Sequence, residues 1–197
     1  MPTEPVRWMS VDEYLAGERD AEVRHEYVAG EIHAMAGANE RHNTIALNIA
    51  SRLRERARGG PCRVFMADMK LHVSAADAFY YPDVFVTCDP HDGGEYFKER
   101  PCAVVEVLSA ATAAIDRREK RLAYRTLPTL REYVIVDQLR RRVFVHRRAG
   151  DGWESAILAG GTDRVPFSCL DTALTLGEIY EDVVFPEVLE AEEVYTV

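Results

Sequence analysis

Apolar and polar positions along this chain follow two periods, and the changes between them mark out the elements. Ser10-Val11-Asp12-Glu13 has the form of a capping box and predicts a short helix to about Gly17. The stretch "VRHEYVAGEIHAMA" predicts a hairpin that turns at Ala29-Gly30. From Asn39 to Arg58 the period lengthens: Ile45, Ile49 and Leu53 recur every fourth position, and Gly59-Gly60 closes a helix. Strand patterns follow over 63–73, with a bend near Asp68, then over 80–88 and 103–108, with "PHDGGEY" as the loop between the last two. Asp116 to Leu127 reads as helical until Pro128 stops it. "REYVIVD" (131–137) reads as a buried strand, and "RRVFVHRR" (141–148) alternates like an exposed strand paired with 153–158. A short helix near 174–180 precedes an acidic tail. The middle of the chain therefore runs helix, three strands, helix, strand, with an N-terminal hairpin and extra C-terminal strands. This order predicts a mixed α/β (α+β) fold: one domain over 1–185 and a tail over 186–197, with no internal repeat and no linker.

Composition narrows the picture without changing it. A chain of 197 residues can close one real core. Hydrophobic residues make up 47% and charged ones 29%, as in soluble globular proteins. No apolar run approaches the ~18 residues of a membrane span, and "MPTEPVRWMSVDEYL" lacks the pattern of a signal peptide. The expectation is a cytoplasmic protein with no membrane partner. The net charge of −9 argues against a polyanionic partner. Seven of the 33 acidic residues, however, lie between Glu178 and Val197, where there is no Lys or Arg. The remainder holds 26 acids against 24 bases. Arginines gather at Arg117, Arg118, Arg121 and Arg125, and again at Arg140, Arg141, Arg142, Arg147 and Arg148. Composition alone favours a solvated mixed-charge surface, but local basic patches remain open. Cys62, Cys88, Cys102 and Cys169 form no CxxC pair, so buried free thiols are expected.

Two acids stand where the pattern calls for apolar residues. Glu106 interrupts Val104, Val105, Val107 and Leu108, and Asp83 lies between Pro82 and Val84-Phe85-Val86. A carboxylate in such a strand must shift its pKa, find a cation or bind a metal. If the strands are neighbours, the two acids repel one another in a shared pocket, and a hard divalent cation removes the conflict. Mg²⁺ takes oxygen ligands of this kind. Lys120 lies four residues after Asp116 and four before Tyr124, on one helical face. One reading is an exposed i,i+4 salt bridge to Asp116, worth a few tenths of a kcal/mol. The other is a cation that stabilises charge developing on a phosphate or an attacking water. Spacing alone favours the first. His25, His33 and His42 lack metal-ligand spacing, and His42 reads most simply as a surface or half-buried residue. HExxH, GxSxG, P-loop and GxGxxG motifs are absent, which argues against zincin, serine hydrolase, NTPase and dinucleotide-binding readings.

Pro82-Asp83 followed by Glu106-Val107-Leu108 resembles the signature of the PD-(D/E)xK nuclease superfamily, except that Leu108 stands where that signature has Lys. More specifically, "HEYVAGEI", "PDVFV", "VVEVLSAAT", "DRREK", Tyr124 and "EYVIVD" resemble, in the same order, the motifs of the Uma-two family of candidate restriction endonucleases, once filed as domain of unknown function DUF820. The resemblance covers about residues 10–180. It implies a restriction-endonuclease-like core and a nuclease that uses Mg²⁺, with Mn²⁺ as substitute, to cut nucleic acid, DNA being the expected substrate. It implies Asp83 and Glu106 as metal ligands, with the Val107 carbonyl as a third. It moves the active-site lysine to the following helix, at Lys120. It also adds Glu26 as a second metal ligand or a water-orienting group, while the residues themselves leave room for an exposed hairpin acid. A homodimer is compatible with this reading. The rival from another class is an inactive nuclease fold kept for nucleic-acid binding or protein assembly, and a hydrolase of small phosphodiesters is a third reading.

Overall fold

The computed structural model describes residues 8–35, 37–109 and 116–186. Helix α1 (Val11–Asp20) opens with the expected capping box, in which the Ser10 side chain accepts from the Glu13 N–H and the Glu13 carboxylate accepts from the Ser10 N–H. Strands β1 (His25–Val28) and β2 (Glu31–Ala34) form the expected hairpin. Its turn residues Ala29 and Gly30 both have positive φ, 47° and 94°, as a tight two-residue hairpin turn requires. Helix α2 (Glu40–Arg56) is capped by Asn39 and buries Ile45, Ile49 and Leu53.

The chain continues through β3 (Arg63–Met66), β4 (Lys70–Val73), β5 (Ala78–Tyr80), β6 (Val84–Thr87), β7 (Phe97–Lys98) and β8 (Pro101–Leu108). After a π-helical turn, Asp116–Lys120, come α3 (Arg121–Arg125), β9 (Glu132–Asp137), β10 (Arg142–Ala149) and β11 (Gly152–Leu158). The last elements are β12 (Arg164–Phe167), β13 (Thr172–Thr175) and α4 (Leu176–Ile179).

The expected strands over 63–73 and 80–88 are each split between two sheets. A six-stranded sheet has the order β11-β10-β9-β8-β6-β3, and a five-stranded sheet the order β2-β1-β5-β4-β7. The chain crosses between them at Ala67–Met69 and again at Tyr81–Asp83. The two crossings touch, the Ala67 N–H donating to the Asp83 carbonyl at 3.3 Å. The expected bend near Asp68 falls at the first crossing, and Pro82-Asp83 marks the second. Apolar residues nevertheless continue on both sides of each, so the pattern does not show that the chain changes sheet.

Within the six-stranded sheet, β8 and β9 run parallel and the other pairs antiparallel. A parallel pair needs a crossover, and here the crossover carries α3. One face of the sheet packs Val105, Val107, Val134 and Val136 with Ile45, Ile49 and Leu53 of α2 and with Leu176 and Ile179 of α4. The other packs Val104, Leu108, Tyr133 and Ile135 with Leu71, Tyr80 and Tyr124. Burial on both faces explains why all eight positions of β8 are buried and why its sequence shows no alternation. Each such Val or Ile contributes about 1.5–3 kcal/mol of burial.

The cysteines depart from expectation. None of them is a free thiol: Cys62 pairs with Cys88, and Cys102 with Cys169, in disulfides. The partners lie 26 and 67 residues apart in sequence, and sheet order, not local spacing, unites them.

In β10, His146 is buried with its Nδ1 2.7 Å from Ser155 Oγ. Burial first, then the Arg121 and Arg125 guanidiniums, lowers its pKa from the ordinary imidazole value of about 6.5 to about 4. The unfolded chain therefore takes up this proton first on acidification. Stability is fully present above about pH 6.5 and falls until about pH 4, by on the order of 3 kcal/mol. Denaturant unfolding of the wild type and His146→Gln across this window checks the prediction. The variant should show the shallower slope, and parallel curves would mean that the imidazole is not held neutral.

Candidate active site

Glu106 lies in the middle of β8 on the face covered by α3, and 3% of it is exposed. Its Oε1 accepts from the Tyr124 hydroxyl at 2.8 Å and from Lys120 Nζ at 3.3 Å. Lys120 is the last residue of the π-helical turn, and its ammonium also meets Glu26 Oε1 of β1 at 2.8 Å. One ammonium thus joins the hairpin of one sheet to the central strand of the other. Nζ also stands 5.4 Å from the centroid of the Tyr80 ring, within cation–π range. Lys120 is 5% exposed, so it does not lie on the wet helical face that its spacing alone favours. π-helical turns frequently coincide with functional sites, and this one places Lys120 and Tyr124 over the same carboxylate.

Asp83 ends the second crossing, directly before β6. Its Oδ2 accepts from the Val107 N–H at 2.6 Å and lies 3.3 Å from His42 Nε2. Val105 pairs with Val84, the first residue of β6. Val107, two residues on, therefore turns its amide toward the place where β6 has not yet begun, and Asp83 fills that place. Its carbonyl lies along the same edge by strand geometry. The structure thus brings Asp83, Glu106, Val107, Lys120 and Glu26 to one locality. It adds His42, which the sequence reading takes as surface or half-buried with no site role, and whose half-buried side chain lies against Asp83.

Aromatic hydroxyls fix the charges. Burial, and then the Glu106 charge, raise the Tyr124 pKa well above the usual tyrosine value, so this hydroxyl stays protonated and donates. Burial and then Glu119 do the same for Tyr80, which donates to Glu119 Oε1 at 3.3 Å. Behind Glu26 lies a network that sequence reasoning misses. Glu18, 3% exposed, accepts from the His25 N–H at 2.8 Å and from the Tyr81 hydroxyl at 2.9 Å. Lys70 Nζ meets that hydroxyl at 3.3 Å. The backbone N–H of Tyr81 in turn donates to Glu26 Oε1 at 3.2 Å. Glu18 lies in α1, and nothing in its own helix pattern marks it as buried.

The donor set of Asp83, Glu106 and the Val107 carbonyl is all oxygen, which suits a hard cation. Asp83 remains 19% exposed, open to such an ion. Among the described residues, no three carboxylate or imidazole groups come within 4.8 Å of one another. Two protein carboxylates is a usual complement for Mg²⁺.

Residues 11–176 match the model of the Uma2 family, described as "Putative restriction endonuclease". This chain belongs to the Uma2 family. Its similarity extends to two proteins of Synechocystis sp. The uncharacterized protein slr1290 is 31% identical over 93% of this chain and 97% of its own length, and the uncharacterized protein sll1609 is 32% identical over 81% and 93%. The fold is also that of a solved structure from Anabaena variabilis, described as "a putative nuclease belonging to DUF820". That match has a TM-score of 0.72 and 17% identity, covering 89% of this chain and 99% of the other. Family and fold together indicate a restriction-endonuclease-like nuclease. Among the described residues, no helix of this Uma2 protein is long and apolar enough to cross a membrane.

Removing the hydroxyl that holds Glu106 tests this geometry. Tyr124→Phe deletes one donor to a buried carboxylate and should lower stability by about 1–3 kcal/mol. Urea unfolding measures the change, and an unaltered midpoint would mean that the hydroxyl carries no part of the Glu106 charge.

Proposed function

We propose that this protein is a metal-dependent endonuclease that hydrolyses phosphodiester bonds in DNA. The observation that carries this reading is the position of Lys120, between Glu26 at 2.8 Å and Glu106 at 3.3 Å, beside a strand edge that also holds Asp83. Asp83 and Glu106 would hold Mg²⁺, or Mn²⁺ in its place, with the Val107 carbonyl as a third ligand. When bound, the cation supplies Lewis-acid polarisation of the scissile phosphate and lowers the pKa of the attacking water. Lys120 orients that water and meets the negative charge that grows on the phosphate oxygens. Glu26 steadies the ammonium, Tyr124 fixes the Glu106 carboxylate, and His42 steadies Asp83.

Leu108 fits this arrangement. It stands where the superfamily signature has lysine, but it is 4% exposed and packs in the cluster that contains Ala123 and Tyr124. The strand position is committed to the core, and the cation arrives from the crossover. We also place the protein in the cytoplasm, as one domain over 1–185 with 186–197 as a tail. A homodimer would match the two strands of a duplex. The net charge of −9 favours the rival reading of an inactive nuclease-fold module.

A cleavage assay separates these readings. Purified protein with Mg²⁺ or Mn²⁺ is mixed with supercoiled plasmid, linear DNA and RNA, with and without chelator. Metal-dependent cutting of DNA is expected. Lys120→Ala, checked for folding by circular dichroism, should slow it by about 10²- to 10⁴-fold. Cleavage of none of these substrates by folded, metal-loaded wild type would leave the module reading standing. A Lys120→Ala rate equal to wild type would remove lysine from the mechanism.

A further inference from the structure

All four cysteines of the chain meet at one place, at the end of β8 away from Glu106. Cys62 comes from the segment between α2 and β3, Cys88 follows β6, Cys102 is the second residue of β8, and Cys169 lies in the short turn Ser168–Leu170 between β12 and β13. Cys102 precedes Glu106 by four residues on one strand, a separation of about 13 Å at the usual strand rise. The cluster is therefore separate from the candidate active site.

The sulfurs are closer together than two independent disulfides require. Cys88 Sγ of one disulfide lies 3.6 Å from Cys102 Sγ of the other. The sulfurs of Cys88, Cys102 and Cys169 all fall within 4.8 Å of one another. Cys62 Sγ and Cys88 Sγ both approach the Cys169 carbonyl, at 3.7 and 3.8 Å. A tetrahedral zinc tetrathiolate with Zn–S bonds of about 2.3 Å has sulfurs about 3.8 Å apart, close to the Cys88–Cys102 separation. Cys62 and Cys102 are buried at 6% exposure, while Cys88 and Cys169 are partly open, which leaves an entry path. The sulfurs of Cys88, Cys102 and Cys169 already converge, and reduction frees Cys62, now bonded to Cys88, to turn its side chain in as the fourth ligand.

We propose that these four cysteines, as thiolates, form a structural zinc site. Reduction of the two disulfides takes four electrons, two from each of two dithiol molecules, which leave as their own disulfides. The four thiols produced bind one Zn²⁺ and release four protons. Four soft thiolates in tetrahedral array select zinc over the hard cations suited to Asp83 and Glu106. The ion would tie the approach to β3, two neighbouring strands of the central sheet and the β12–β13 pair into one unit. That is the same set of elements that the disulfides join under oxidising conditions. Nothing in the sequence spacing announces this site, because each ligand comes from a different segment.

The test uses the full chain, prepared and purified in reductant without added chelator. Mass spectrometry of the metal content should find one zinc per chain, and a thiol-blocking mercurial should release it. Cobalt added to the reduced, metal-stripped protein should give a sulfur-to-cobalt charge-transfer band and the intense d–d absorption of tetrahedral thiolate ligation, which carboxylate ligation cannot give. Cys169→Ser should weaken zinc binding by at least about 100-fold. If that variant does not fold, the cobalt spectrum of the wild type decides. Folded, reduced protein with four countable thiols that takes up neither zinc nor cobalt overturns the proposal. So does a protein whose disulfides survive the reductant, or one whose cobalt spectrum lacks the sulfur band.

Discussion

The Glu106 carboxylate inside β8 is the constraint around which this structure is arranged. It lies in a strand buried on both faces, so its charge must be met from within the protein. Tyr124 and Lys120 meet it, and both come from the crossover that joins β8 to β9. Glu26 then shares Lys120, which fastens the hairpin sheet to the central sheet. Removing one partner of such a buried pair typically costs about 3–5 kcal/mol, more than a surface ion pair contributes. The same contacts that make the buried charge tolerable define the candidate site, so stability and chemistry rest on one set of residues.

Asp83 shows how the fold places a second acid beside the first. The chain leaves one sheet at β5 and enters the other at β6, and Asp83 sits at the entry. Its carboxylate takes the Val107 N–H that would otherwise face an unoccupied strand position. A residue that looks like an interruption of an apolar run is therefore the cap of a sheet edge. In the reading proposed here, that edge is also where the phosphate would arrive.

Much of this was legible in the sequence, and the parts that were not share a cause. The capping box at Ser10, the turn at Ala29-Gly30 and the α2 pattern are local signals, and each appears as expected. Asp83 and Glu106 were visible as acids out of pattern. Lys120 was not distinguishable from a surface residue by its spacing and depended on family resemblance. The splits at Ala67 and Tyr81, the approach of His42 to Asp83 and the burial of Glu18 depend on which strands become neighbours. Neighbour relations leave no local trace in a single sequence. The cysteines are the clearest case: their spacing suggests isolated thiols, and the sheet order gathers all four.

The central claim is that Glu106 is buried in order to share a hard cation with Asp83. Calorimetric titration of Mn²⁺ into the folded wild type and into Asp83→Ala tests it most directly. Mn²⁺ is suited to carboxylate oxygens and poorly to a thiolate cluster, so the cysteines do not confuse the reading. The account predicts saturable binding to the wild type and its loss in the variant. Equal affinity in a folded Asp83→Ala protein would contradict it.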